Sequence, residues 1–293
     1  MSDPLLRNSH GTRPRMILDD TFAEGIAAIA YADEARTLLL ATRNGELLQV
    51  NEAGALLHRA TGFHALDHLV LSATGTYGAA AVGMNRLVCF DHQLRFVWDA
   101  EAPSRITAVA IAPYGSHLAF STESARTHIV SIDRKETARI ETKRSLDHLE
   151  FLTDEPHLIG VADFGQIASF GLYGEELWNE RIMNNVGDLS VSGSGRRILV
   201  AAFNHGVQVF SRTGKHKGAF MLDGIPFKVS GSAAGTRLAV LTQEHRLYWL
   251  DYEGNVKWVA DMTSDPPLHI RTGPLGDRLF VVTVSGRVIL LEW

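Results

Sequence analysis

Seven side chains able to do chemistry fall at two fixed positions of a recurring pattern. One position reads Ala28, His68, Ala108, His148, Asp188, Lys228 and His269. The position two residues further on reads Ala30, Val70, Ala110, Glu150, Ser190, Ser230 and Arg271. Residues two apart on a strand share a face, so His68, His148, Glu150, Asp188, Lys228, His269 and Arg271 are predicted to point the same way from successive strands. Three chemistries compete for them. The first is a hydrated, mutually hydrogen-bonded set that holds the repeats in register, with Asp188 beside Lys228 and Glu150 able to meet a cation. The second is a metal site built from His68, His148 and His269, which Lys228 and Arg271 would oppose by charge repulsion. The third is an anion or small-ligand pocket using Lys228, Arg271 and the histidines.

The motif Leu-Asp-His-Leu occurs twice, at residues 66–69 and 146–149. An acid beside a histidine invites an acid–base reading. Neighbouring strand residues point to opposite faces, however, so Asp67 and His68 do not form a dyad by adjacency. The partners to consider for His68 are His148 and His269, in the same slot. Other catalytic motifs are missing: there is no Gly-x-Ser-x-Gly elbow, no phosphate-cradling glycine loop with lysine, and no His-Glu-x-x-His pair. The stretch Val191–Arg197 (VSGSGRR) is glycine-rich but falls in a turn of the repeat. Cys89 is the single cysteine, which excludes an intrachain disulfide and a multi-cysteine zinc site. It reads as a small buried hydrophobe and not as a reactive thiol. No catalytic residue, metal or cofactor is therefore assigned, and the chain is expected not to be an enzyme.

The elements that must carry these residues come from a forty-residue clock. The turn residue ahead of each aliphatic run is Ala35, Gly75, Gly115, Glu155, Gly195, Gly235 and Gly276, at intervals of 40 and finally 41. After it, apolar residues alternate, as in Leu38/Leu40, Leu118/Phe120, Ile198/Val200 and Leu279/Val281, which is a strand signal. Tight turns such as Asn44-Gly45 and Ser285-Gly286 follow, suited to hairpins. The next strand has an unbroken apolar series: Val50, Phe90, Val130, Phe170, Phe210, Leu250 and Leu291. Four short strands per forty residues, repeated seven times, predict an all-β, seven-bladed β-propeller of four-stranded antiparallel blades. Residues 14–22 occupy a fourth-strand slot whose own blade lies at 262–293. The N-terminal strand is therefore expected to complete the last blade and cover its edge. Residues 1–13 are read as a flexible tail and 14–293 as one domain.

The pieces GEELW (174–178), GNVKW (254–258) and LRFVW (94–98) share one slot. They resemble repeats of the pyrroloquinoline-quinone-type (PQQ-like, quinoprotein-like) propellers and of the WD-repeat-like bacterial propellers. The resemblance spans nearly the whole chain and implies the propeller fold. No blade carries the Gly-His and Trp-Asp pair of eukaryotic WD repeats. The quinone enzymes have eight blades and adjacent cysteines, so quinone is not expected with seven units and one cysteine. Trp98, Trp178 and Trp258 are read as outer-strand rings packed over a neighbouring blade.

The chain has 28 Lys+Arg against 33 Asp+Glu, a net charge of −5, which argues against a general nucleic-acid surface. The first fifteen residues have no apolar run suited to a signal-peptide core, and no stretch is long enough to span a membrane, so a cytoplasmic location without membrane insertion is expected. Propellers commonly present loops to partners. The turns before each first strand and those between second and third strands share one face, where Phe63, Met84, Phe164, Met183, Met221 and Met262 fall. These residues form the predicted recognition patch for a protein partner.

Overall fold

The computed structural model describes residues 4–293. Apart from a four-residue helix at Pro4–Arg7, its regular elements are short strands, three to seven residues long. Two compact units are present, Ile26–Met183 and the N-terminal segment up to Gly25 with Asn184–Trp293. Between them they hold the seven antiparallel blades of a β-propeller.

The unit Ile26–Met183 carries the first four blades. The first comprises Ile26–Ala32, Thr37–Thr42, Glu46–Asn51 and Leu56–Thr61, hydrogen-bonded in that order. The second, third and fourth begin with Leu66–Leu71, Ile106–Ile111 and His148–Phe151 and repeat the same order. The other unit carries the fifth, sixth and seventh blades, whose first strands are Val186–Val191, Pro226–Gly231 and Pro267–Thr272. The fourth strand of the seventh blade is Arg15–Thr21, which runs antiparallel to Arg287–Glu292 with Asp19 opposite Ile289.

Period-two alternation gives each blade two apolar faces, and within each unit the cores lie between consecutive blades. Leu39, Leu47 and Ala41 of the first blade pack with Leu69, Ala80 and Phe90 of the second. Leu199, Val207 and Val209 of the fifth pack with Val229, Val240 and Leu250 of the sixth. Cys89 and its counterparts Gln49, Ile129, Ser169, Val209, Trp249 and Leu290 are all buried, polar members included. Gln49 donates from Nε2 to Thr37 Oγ1 at 3.2 Å within the first blade. The turn joining the first and second strands needs a left-handed residue. Gly75 (φ 69°), Gly115 (72°) and Gly235 (66°) supply it, and in the first blade Arg36 takes that conformation at 52°.

Residues 4–13 are not a flexible tail. Leu5 is buried in a cluster with Trp249, Trp258, Ala260 and Met262. Ser9–Gly11 pairs antiparallel with Val256–Asp261 and gives the sixth blade a fifth strand. The Trp293 indole N–H donates to the Thr12 carbonyl at 2.8 Å. An outer strand leaves a row of unpaired amides and carbonyls, and this segment satisfies them. Residues 1–3 of the expected tail lie outside the described residues.

Candidate functional site

The polar slot of the inner strands sits beside a bulge. The register against the second strand shifts between Leu66 and His68, Ile106 and Ala108, Val186 and Asp188, Pro226 and Lys228, and Pro267 and His269. A bulge opposes two residues to one and re-aims the side chain beside it. Asp67 sits at one such bulge and turns outward to Arg105 of the third blade, at 3.8 Å, whereas His68 is half-buried. In the second copy of the motif, burial raises the Asp147 carboxyl above the ordinary aspartate range. This occurs although the Asp163 amide donates to its Oδ2 at 3.2 Å. The two copies therefore occupy one repeat position in different surroundings.

In the fifth to seventh blades the polar slots tie one inner strand to the next. Asp188 Oδ2 accepts from the Val229 amide at 3.2 Å, and Lys228 Nζ lies 4.0 Å from Asp188 Oδ1. Ser190 Oγ accepts from the Gly231 amide at 2.9 Å. Ser230 Oγ accepts from the Thr272 amide at 3.0 Å and from its hydroxyl at 2.6 Å. Each side chain satisfies a backbone donor on the neighbouring blade, a structural use of the kind required for buried amides. Arg271 donates to the Ile270 carbonyl at 3.3 Å. His68, His148, Glu150 and His269 are half-buried, and each engages a partner. Among the described residues, no group of three or more His, Cys, Asp or Glu is gathered as a metal-ligand set.

The six loop-face residues divide. Met84, Phe164, Met183 and Met221 are 70, 49, 59 and 73% exposed. Phe63 and Met262 are 9 and 5% exposed and belong to the core, which removes them from the recognition patch. Phe63 packs edge-on against Phe90, with ring centroids 5.9 Å apart, and Met262 lies against the Trp249/Trp258 cluster. The cause is a shared backbone bond. In the first, fourth and sixth blades the first residue or two after the outer strand donates its amide to the preceding turn: Phe63 to Gly45, Ile182 to Gly165, and Met262 to His245. That bond turns the side chain under the loop. In the fourth blade Ile182 takes the inward place, and the next residue, Met183, is left outside. The forty-residue register already aligned Met262 with Ile182 and not with Met183.

One cleft on this face was not anticipated from the sequence. It has a volume of about 550 Å³ and is lined by Lys143, Arg144, Phe164, Gly165, Gln166, Asn179 and Arg181. Lys143 and Arg144 come from the loop entering the fourth blade, and Phe164 and Gly165 from the turn between its second and third strands. Gln166 stands opposite Arg181, and Asn179 opposite Ala168, so both outer-strand residues project from one face of that strand.

The outer-strand tryptophans pack as the repeat implies in two of three blades. Trp98 is buried and donates to the Ile132 carbonyl of the third blade at 2.7 Å. Trp258 is fully buried edge-on to Trp293, whereas Trp178 is half-buried. Burial pushes the Cys89 thiol up to about 12, well away from a reactive thiolate.

No protein-family model matches the chain, and no curated protein shows significant similarity to it. The fold and the surface geometry are therefore the guides to function.

Proposed function

We propose that this propeller is a non-enzymatic platform that binds a protein partner through the face formed by the loops before each first strand and the turns between second and third strands. The observation that carries the reading is the exposure of Met84, Phe164 and Met183 on loops of the second and fourth blades, within one unit. Methionine, aromatic residues and arginine are the types enriched in interface cores, and a flexible thioether accommodates a partner's shape. The polar inner-strand positions support the same assignment, since Asp188, Ser190 and Ser230 are engaged in joining blades. Its repeats resemble those of the WD-repeat-like and quinoprotein-like propellers, in which rigid blades present variable loops.

Affinity capture from the native organism tests this. Met84→Ser and Met183→Ser in one variant should abolish recovery of a partner that wild type retains, while Tyr114→Ser, on the opposite turns, should retain it. Equal recovery by all three proteins would count against this face. The competing small-ligand reading predicts instead a ligand whose binding depends on His68, His148 or Lys228.

A further inference from the structure

The third and fourth strands of several blades close their loop-face ends with an ion pair. Arg59 meets Glu46 in the first blade, Arg86 meets Asp99 at 2.7 Å in the second, and Arg126 meets Glu141 at 3.2 Å in the third. In the seventh, Arg287 meets Asp19 at 2.6 Å. The fourth blade, like the fifth with its Gly206, has no such pair. Gln166 occupies the acidic or basic third-strand position opposite Arg181, and an amide cannot neutralise a guanidinium. Lys143 and Arg144 line the same cleft, and no acidic residue is among its lining residues. A protein with 33 acidic residues to 28 basic ones has here gathered three positive charges in one cleft whose lining holds no acid.

Two backbone features hold the cleft open. A Cβ on Gly165 would stand 3.1 Å from the Arg144 side-chain Cδ, so the glycine leaves the space through which the arginine stem runs. Phe164 is held at φ 46°, left-handed backbone that a bulky residue rarely adopts, with its ring on the cleft wall and half in solvent. Burial of the ring does not account for that conformation.

We propose that this cleft, on the platform reading given above, receives an acidic segment of the protein partner: carboxylates on Arg144 and Arg181, Lys143 steering them in, and a large apolar residue against Phe164. Guanidinium groups bind carboxylates through paired, charge-assisted hydrogen bonds. The cations and the ring are exposed, whereas small-molecule sites are enclosed and mostly apolar, so a peptide laid across the face fits better than a buried metabolite. Met183, two residues beyond Arg181, is also exposed.

The test uses the full-length protein and a displayed library of random peptides, followed by titration of the selected peptide. Selected sequences should be enriched in Asp and Glu next to a large apolar residue. Gln166→Glu supplies the carboxylate that other blades have, and should weaken the selected peptide several-fold without lowering thermal stability. Arg144→Ala with Arg181→Ala should weaken it roughly tenfold or more. Absence of acidic enrichment, or unchanged affinity in both variants, overturns the proposal, as does full displacement by millimolar inorganic phosphate, which would make this a simple anion site. If both variants bind the peptide like wild type while Met84→Ser/Met183→Ser still loses the captured partner, the cleft assignment falls and the platform reading stands.

Discussion

Removing the N-terminal segment should destabilise the protein even though it precedes the last blade's closing strand. Leu5 is 5% exposed inside the Trp249/Trp258 cluster, so Leu5→Ala strips a buried side chain. Buried leucine truncations cost about 2–5 kcal/mol, and a site on a short terminal helix can partly collapse, which places this one near 2. Deleting residues 1–12 also removes the Ser9–Gly11 ladder and the carbonyl that accepts from the Trp293 indole. A net hydrogen bond is worth about 1 kcal/mol, so the deletion should cost about 3–4 kcal/mol in all. At about 2–4 °C per kcal/mol for chains of 150–250 residues, the melting temperature should fall by roughly 6–16 °C. Urea unfolding followed by tryptophan fluorescence is the assay, since Trp249, Trp258 and Trp293 lie within one aromatic group. A deletion whose stability stays within about 0.5 kcal/mol of wild type, the usual range for surface changes, would refute the docking of this segment.

Other outcomes follow from the same geometry. Phe63→Ala should cost about 3–5 kcal/mol while Met84→Ser stays within about 0.5, measured by the same unfolding assay. Cys89 should resist alkylation in the native state and react on unfolding. Its thiol is raised by burial from an ordinary 9.0 to about 12, so the folded form loses stability as pH climbs from about 9 toward 12. Asp251 behaves in the opposite sense. Burial opposes its ionisation, but hydrogen bonds from Lys257 and Asn255 prevail and hold the carboxyl well below the usual aspartate range. Its contribution is therefore full above the unfolded aspartate value and lost as pH falls below about 4, and Asp251→Asn should remove that part of the acid sensitivity in urea titrations at pH 3–6.

The blades were readable because packing in a propeller repeats. Val50, Phe90, Phe170 and Leu250 recur at one spacing since each fills the same inter-blade gap, and Gly75, Gly115 and Gly235 recur since each meets the same left-handed turn. Arg15–Thr21 was readable for the same reason, as a fourth strand lying forty residues ahead of the next. What broke the repeat was hidden. Pro4–Arg7 and Ser9–Gly11 belong to no slot, and their anchoring depends on an edge that only the folded sixth blade presents. Phe63 and Met262 look like Met84 and Met183 in a loop sequence, and one backbone hydrogen bond decides which side chain turns inward. The cleft at Arg181 was legible only in part: Gln166 is visible as a departure from Arg86 and Arg126, but its meaning depends on Lys143, Arg144 and Phe164 arriving from separate loops.

The most direct measurement of the platform assignment is the hydrogen-exchange footprint of the captured partner. The account predicts slowed exchange in residues 83–85, 143–145, 163–166 and 182–184 on complex formation, with the turns around Tyr114 and Glu155 unchanged. Protection confined to those opposite turns, or to the outer-strand edges, would contradict it.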